Sequence, residues 1–125
     1  MILVDTSVWV DHFRKGEAVL AALLGEGRIM IHPFIVGELA LGNLRDWEET
    51  VATLRELPQA VVVSQDRLLS MITGEALIGT GIGFVDSHLL ASVGASEGLR
   101  LWTRDKRLAA KADAMGIGWP EPPSS

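Results

Sequence analysis

Three short runs with no polar face govern what this chain can fold into: Ile2-Leu3-Val4, Ile29-Met30-Ile31 and Val61-Val62-Val63. A strand that faces water on one side alternates polar and apolar residues. A strand that is apolar throughout is covered on both faces, as in the parallel sheets of α/β proteins. A fourth strand is expected from Leu99 to Thr103, and a short fifth from Ile117 to Trp119. Between the strands lie stretches of helical character. These run from Thr6 to about Phe13, Glu17 to Leu24 (stopped by Gly25), Pro33 to about Leu44, Asp46 to Leu57, Gln65 to Ile78, Val85 to Glu97 and Asp105 to Met115. Gly79 to Gly83 reads as a flexible break. This alternation predicts a three-layer α/β domain whose mostly parallel, five-stranded sheet is flanked by helices. At 125 residues the chain is one domain, expected over 1–119, with 120–125 as a disordered tail.

Within that frame, the company kept by three carboxylates is the informative feature. Asp5 is the only charged residue in 1–10, Glu38 the only one in 33–44 and Asp86 the only one in 76–96, counting His88 as neutral. Desolvating a carboxylate is expensive, so acids set in apolar segments need a reason. Asp5 is expected at the carboxyl end of the first strand, Asp86 in the first turn of a helix, and a fourth acid, Asp105, just past the fourth strand. Ligand sites of open parallel sheets lie outside the carboxyl ends of the strands. If strands one and four are neighbours, Asp5 and Asp105 converge there, and the helices bearing Glu38 and Asp86 can join them.

Each acid alone has an ordinary reading: Asp5 a strand end or helix start, Glu38 an exposed helix position, Asp86 a charge favoured by the helix dipole, Asp105 an N-cap. Four together repel one another unless a cation lies between them. Oxygen ligands without Cys or His favour Mg²⁺ or Mn²⁺, ions suited to phosphate chemistry. Ser7 and Thr103 each lie two residues from a site acid and are candidates to support it. Arg104, Lys106 and Arg107 belong to a basic stretch that could hold a phosphate backbone.

Composition narrows the classes further. With no cysteine, disulfides, thiolate metal sites and cysteine nucleophiles are excluded. His12, His32 and His88 are too irregularly spaced for a helical zinc motif and read as structural. A net charge of −5 argues against simple electrostatic binding of nucleic acid. No apolar stretch approaches the roughly 20 residues of a membrane span, and the N-terminus lacks a basic leader, so a cytoplasmic protein with no membrane association is expected. A mean hydropathy of +0.28 is high for so small a chain and predicts apolar surface covered by a partner or a second copy.

Four segments carry a family resemblance: Ile-Leu-Val-Asp-Thr-Ser-Val-Trp at 2–9, Pro33 followed by Ile-Val-Gly-Glu-Leu at 35–39, Gly-Phe-Val-Asp-Ser-His-Leu-Leu-Ala at 83–91, and Leu-Trp-Thr-Arg-Asp-Lys-Arg-Leu at 101–108. In this order and spacing the chain resembles the PIN-domain ribonucleases, and among them the VapC-type toxins of prokaryotic toxin–antitoxin pairs. The resemblance implies a sheet of order 3-2-1-4-5. It implies an acidic site of Asp5, Glu38, Asp86 and Asp105 binding Mg²⁺ or Mn²⁺, with Thr103 at a small hydroxyl position before the last acid. It further implies an endoribonuclease that cleaves RNA by metal-activated water, a homodimer, and a small antitoxin covering the acidic groove. Leu108 stands where family members often carry an aromatic residue. The rival readings are a DNA nuclease with the same site, and a non-catalytic protein whose acidic groove holds a basic partner tail.

Overall fold

The computed structural model of the protein describes residues 1–123. Ten elements follow in chain order: β1 (Ile2–Val4), α1 (Thr6–Lys15), α2 (Ala18–Gly25), β2 (Ile29–Met30), α3 (Pro33–Ala40), α4 (Trp47–Glu56), α5 (Gln65–Gly74), α6 (Phe84–Gly94), β3 (Arg100–Trp102) and α7 (Lys106–Ala114). The expected βα alternation is present, with three strands in sheet order β2-β1-β3, all parallel. Ile2, Leu3 and Val4 pair with Arg100, Leu101 and Trp102 on one side, and Ile2 and Leu3 with Ile29 and Met30 on the other.

Where two further strands were expected, the sheet carries single parallel bridges, Ile31 to Gln59 and Leu101 to Gly118. Their positions outside β2 and β3 follow the expected order. Ile31 donates to the Pro58 carbonyl at 2.9 Å and accepts from the Ala60 amide at 2.8 Å. Beyond this the chain leaves the edge: Val61 and Val62 are exposed, and only Val63 turns inward. The apolar run at 61–63 is thus not itself the paired segment. On the other edge, Leu101 donates to Ile117 and accepts from Trp119.

Burial accounts for the centre of the sheet. Ile2, Leu3 and Val4 are each at most 1% exposed and pack with Trp9, Ile29, Leu101 and Trp102 in one main core. A helix buried all round has no polar stripe. Residues Ser87 to Val93 of α6 fit this description, all being buried. The two hydroxyls on that stretch are satisfied locally, Ser87 Oγ donating to the Phe84 carbonyl and Ser92 Oγ to that of Val61. Three helices end earlier than their composition suggests, α6 among them, at Gly94 rather than Glu97. α3 stops at Ala40, just ahead of Gly42, and α5 stops at Gly74, just before Ala76 takes φ +54°. Of the expected tail, residues 120–123 carry no helix or strand, and Ser124 and Ser125 lie outside the described residues. Among the described residues no helix is long and apolar enough to cross a membrane.

Candidate active site

β1 ends at Val4, and Asp5 occupies the N-cap position of α1 in extended backbone. An aspartate there ordinarily accepts a hydrogen bond from the first turn. Among the described residues Asp5 makes no such bond. Its Oδ2 instead accepts from Ser7 Oγ and Thr103 Oγ1, both at 2.8 Å, and the residue is 5% exposed. Thr103 follows β3, the neighbour of β1, so parallel pairing carries it to Asp5 across 98 residues of sequence. The same loop is stitched twice more. The Arg104 amide donates to Ser7 Oγ at 3.0 Å, and the Asp105 amide to Thr103 Oγ1 at 3.1 Å.

The other acids are held differently. Asp105 caps α7, its Oδ1 accepting from the Leu108 amide at 2.9 Å, and is exposed. Glu38, on α3, is also exposed and accepts from Thr6 Oγ1 at 2.8 Å. Asp86, half-buried in the first turn of α6, has its carboxyl pushed up to about 6. Burial is the main cause, followed by the negative charges of Asp5, Asp105 and Glu38. Asp86 is therefore within electrostatic reach of the other three acids. Asp86 and Asp105 line a cleft of about 560 Å³ together with Gly81, Ile82, Lys106, Arg107 and Leu108.

The basic candidates divide. Lys106 and Arg107 line the cleft. Arg107 rests against Gly81, where a Cβ would collide with its guanidinium; Gly81 has φ +81°, a conformation that suits glycine. Arg104 turns to three carboxylates, Asp11 at 2.7 Å, Glu17 at 2.8 Å and Glu121 at 2.9 Å from Nε. Its charge holds Asp11 and Glu17 below the usual carboxylate range, through direct hydrogen bonds first.

Among the described residues, no three His, Cys, Asp or Glu side chains are gathered tightly enough to enclose a metal ion. The donor set nevertheless suits Mg²⁺. That ion dehydrates reluctantly and is usually held by one or two carboxylates while keeping several waters. The Asp86 carboxyl is raised first by burial and then by the charges of Asp5, Asp105 and Glu38, and a bound cation would offset both.

Several contributors were not singled out in the sequence. Thr6 holds Glu38, and Gly81 makes room for Arg107; adjacency to Asp5 is the only local sign for the former. His32 is fully buried, caps α3 by accepting from the Phe34 amide at 2.9 Å, and titrates at about 4 because of burial and then the charge of His88. It lies in an aromatic group with Phe34, His88 and Phe84, in keeping with a structural role.

A family model described as PIN domain matches residues 2–114. Ribonuclease VapC32 of Mycobacterium tuberculosis strain CDC 1551 / Oshkosh is 44% identical over 121 residues, which is 97% of this chain and 98% of that protein. Ribonuclease VapC32 of strain ATCC 25618 / H37Rv matches to the same extent.

Proposed function

This chain belongs to the PIN-domain family, and from that premise we propose that it is an endoribonuclease, the toxin of a VapBC-type toxin–antitoxin pair, dependent on Mg²⁺ or Mn²⁺. One observation carries the reading: Asp5, buried where the central strand ends, accepts from Ser7 and from Thr103 just past the neighbouring strand, on the loop that also carries Asp105. Support comes from the near full-length similarity to Ribonuclease VapC32.

In this reading Asp5, Glu38, Asp86 and Asp105 hold the cation, and a carboxylate of the cluster takes the proton of the attacking water. A divalent ion supplies Lewis acidity to the scissile phosphate when bound. Ser7 and Thr103 orient Asp5 by donating to one of its oxygens, which leaves the other to the ion. Lys106 and Arg107, on the cleft, hold the RNA backbone electrostatically, a contact that positions the strand without reading its sequence.

Exposed apolar side chains support a partner and a second copy. Leu41 is 90% exposed, Ile78 74% and Phe84 58%. A groove lined by Val10, Phe13, Leu39 and Leu44 runs beside Glu38 and Thr6, where a bound antitoxin would also cover Glu38. The protein is proposed to work in the cytoplasm, where its RNA lies.

The test is cleavage of total cellular RNA by partner-free protein in Mg²⁺, Mn²⁺ or EDTA, with Asp5→Asn alongside and DNA as a second substrate. Discrete RNA fragments that require metal and vanish in the variant are expected. Cleavage of DNA alone favours the DNA-nuclease reading. Full activity of Asp5→Asn in a clean preparation refutes the site.

A further inference from the structure

We propose that Arg104 is a positioning residue for the acidic cluster, and that Glu121, in the segment beyond the last sheet bridge, completes its anchorage. The proposal rests on the ribonuclease reading only for its kinetic consequences. Arg104 sits between Thr103, which donates to Asp5, and Asp105, which caps α7. Its backbone amide fastens the loop inward to Ser7 at 3.0 Å. Its side chain fastens the loop outward in three directions. Nη1 reaches Asp11 on α1 and Glu17, the residue before α2, and the Nε–Nη2 edge reaches Glu121. The guanidinium also lies 5.8 Å from the ring of Trp102, which packs against Trp119. A planar, five-donor fork can bind carboxylates on several sides at once, which a lysine ammonium does with less geometric control.

The same contacts argue against Arg104 as an RNA contact. Both outer edges of the fork already meet carboxylates, and the side chain is 24% exposed. A phosphate would have to displace an acid and then sit beside the remaining two. The cationic groups facing the cleft are Lys106 and Arg107. Arg104 instead ties α1, the start of α2 and the C-terminal segment to the loop that orients Asp5 and carries Asp105.

Arg104→Gln, Arg104→Lys and Glu121→Gln in the full chain test this, with steady-state RNA cleavage, Mn²⁺ calorimetry and amide exchange as readouts. Arg104→Gln should lower kcat about tenfold with KM for RNA moved less than about twofold, since a misplaced group costs turnover before binding. Mn²⁺ affinity should fall about tenfold, the usual scale for losing a group that orients ligands. Exchange at Thr103, Arg104 and Asp105 should accelerate about tenfold while β1 keeps its protection. Arg104→Lys should resemble Arg104→Gln more than wild type. Glu121→Gln should move every readout the same way by less, and it carries the test if Arg104→Gln fails to fold. A raised KM with unchanged kcat and unchanged exchange overturns the proposal, because Arg104 then holds RNA. Unchanged exchange in both Arg104 variants overturns it as well. If the wild type cleaves no RNA with any divalent ion, the function reading fails, and the exchange data alone decide the role of Arg104.

Discussion

Asp86→Asn should abolish RNA cleavage and make the protein more stable. Asp86 titrates at about 6 instead of an aspartate's 3.8. That difference is roughly two units at about 1.4 kcal/mol each, so charging the group at pH 7 costs up to about 3 kcal/mol. Asp86 is only half-buried, and solvent screening reduces this to about 1–2 kcal/mol. No side-chain hydrogen bond to Asp86 is lost among the described residues. The amide does forfeit the favourable charge–dipole term of the first turn of α6, about 0.3–0.5 kcal/mol. A net gain of about 1 kcal/mol should raise the melting temperature by about 3–5 °C in a domain of this size. The assay is thermal unfolding of both proteins in EDTA from pH 7.5 to pH 4. Between pH 4 and 6 folded wild type keeps the Asp86 proton that its unfolded chain has lost. The gap between the two proteins is therefore full above pH 6 and closes as pH falls toward 4. The difference is the quantity to follow, because buried His32 tilts both proteins the opposite way: its unfolded form takes up a proton near 6.5 and its folded form only near 4. Added Mn²⁺ should stabilise wild type and largely spare the variant. A variant no more stable at pH 7.5, or a gap that persists at pH 4, refutes the argument that burial and the neighbouring acids make the charged form of Asp86 costly.

Two further substitutions probe the supports of the site. Thr103→Val removes the donor to Asp5 and the acceptor for the Asp105 amide. It should cost about 1–2 kcal/mol in chemical denaturation and reduce cleavage, with Thr103→Ser restoring both. His32→Asn keeps an N-cap acceptor but cannot take up a proton in this range. It should lower the melting temperature through lost packing, yet flatten the fall in stability between pH 6.5 and pH 4. An unaltered slope would mean that His32 does not titrate as its burial implies.

The centre of the fold was legible because Ile2-Leu3-Val4 and Ile29-Met30-Ile31 are apolar on every position, which only a doubly covered strand tolerates. Val61-Val62-Val63 has the same composition and a different fate. One bridge at Gln59 satisfies that edge, and nothing in three valines signals that the pairing precedes them. The acids could be chosen from their apolar surroundings. Asp5 could not be separated from an ordinary cap until its oxygen was seen to face two hydroxyls, one of them far along the chain. Asp105 is both cap and cluster member, so neither reading excluded the other. Arg104 looked like a phosphate contact because its local neighbours are basic. Its partners come from α1, the start of α2 and the C-terminal segment, a convergence that local sequence does not encode.

The adjacency of β1 and β3 also sets a schedule. A ribosome delivers Asp5 at the outset and the loop holding Thr103 and Asp105 nearly a hundred residues later. Helices α1 to α6 can begin to form while synthesis continues, but Asp5 has no threonine partner, and the cluster lacks its last acid, until β3 docks. A product cut short ahead of residue 103 lacks Thr103 and Asp105. For a protein whose proposed substrate includes the RNA of its own translation, this order delays completion of the acidic site until the last fifth of the chain has been made.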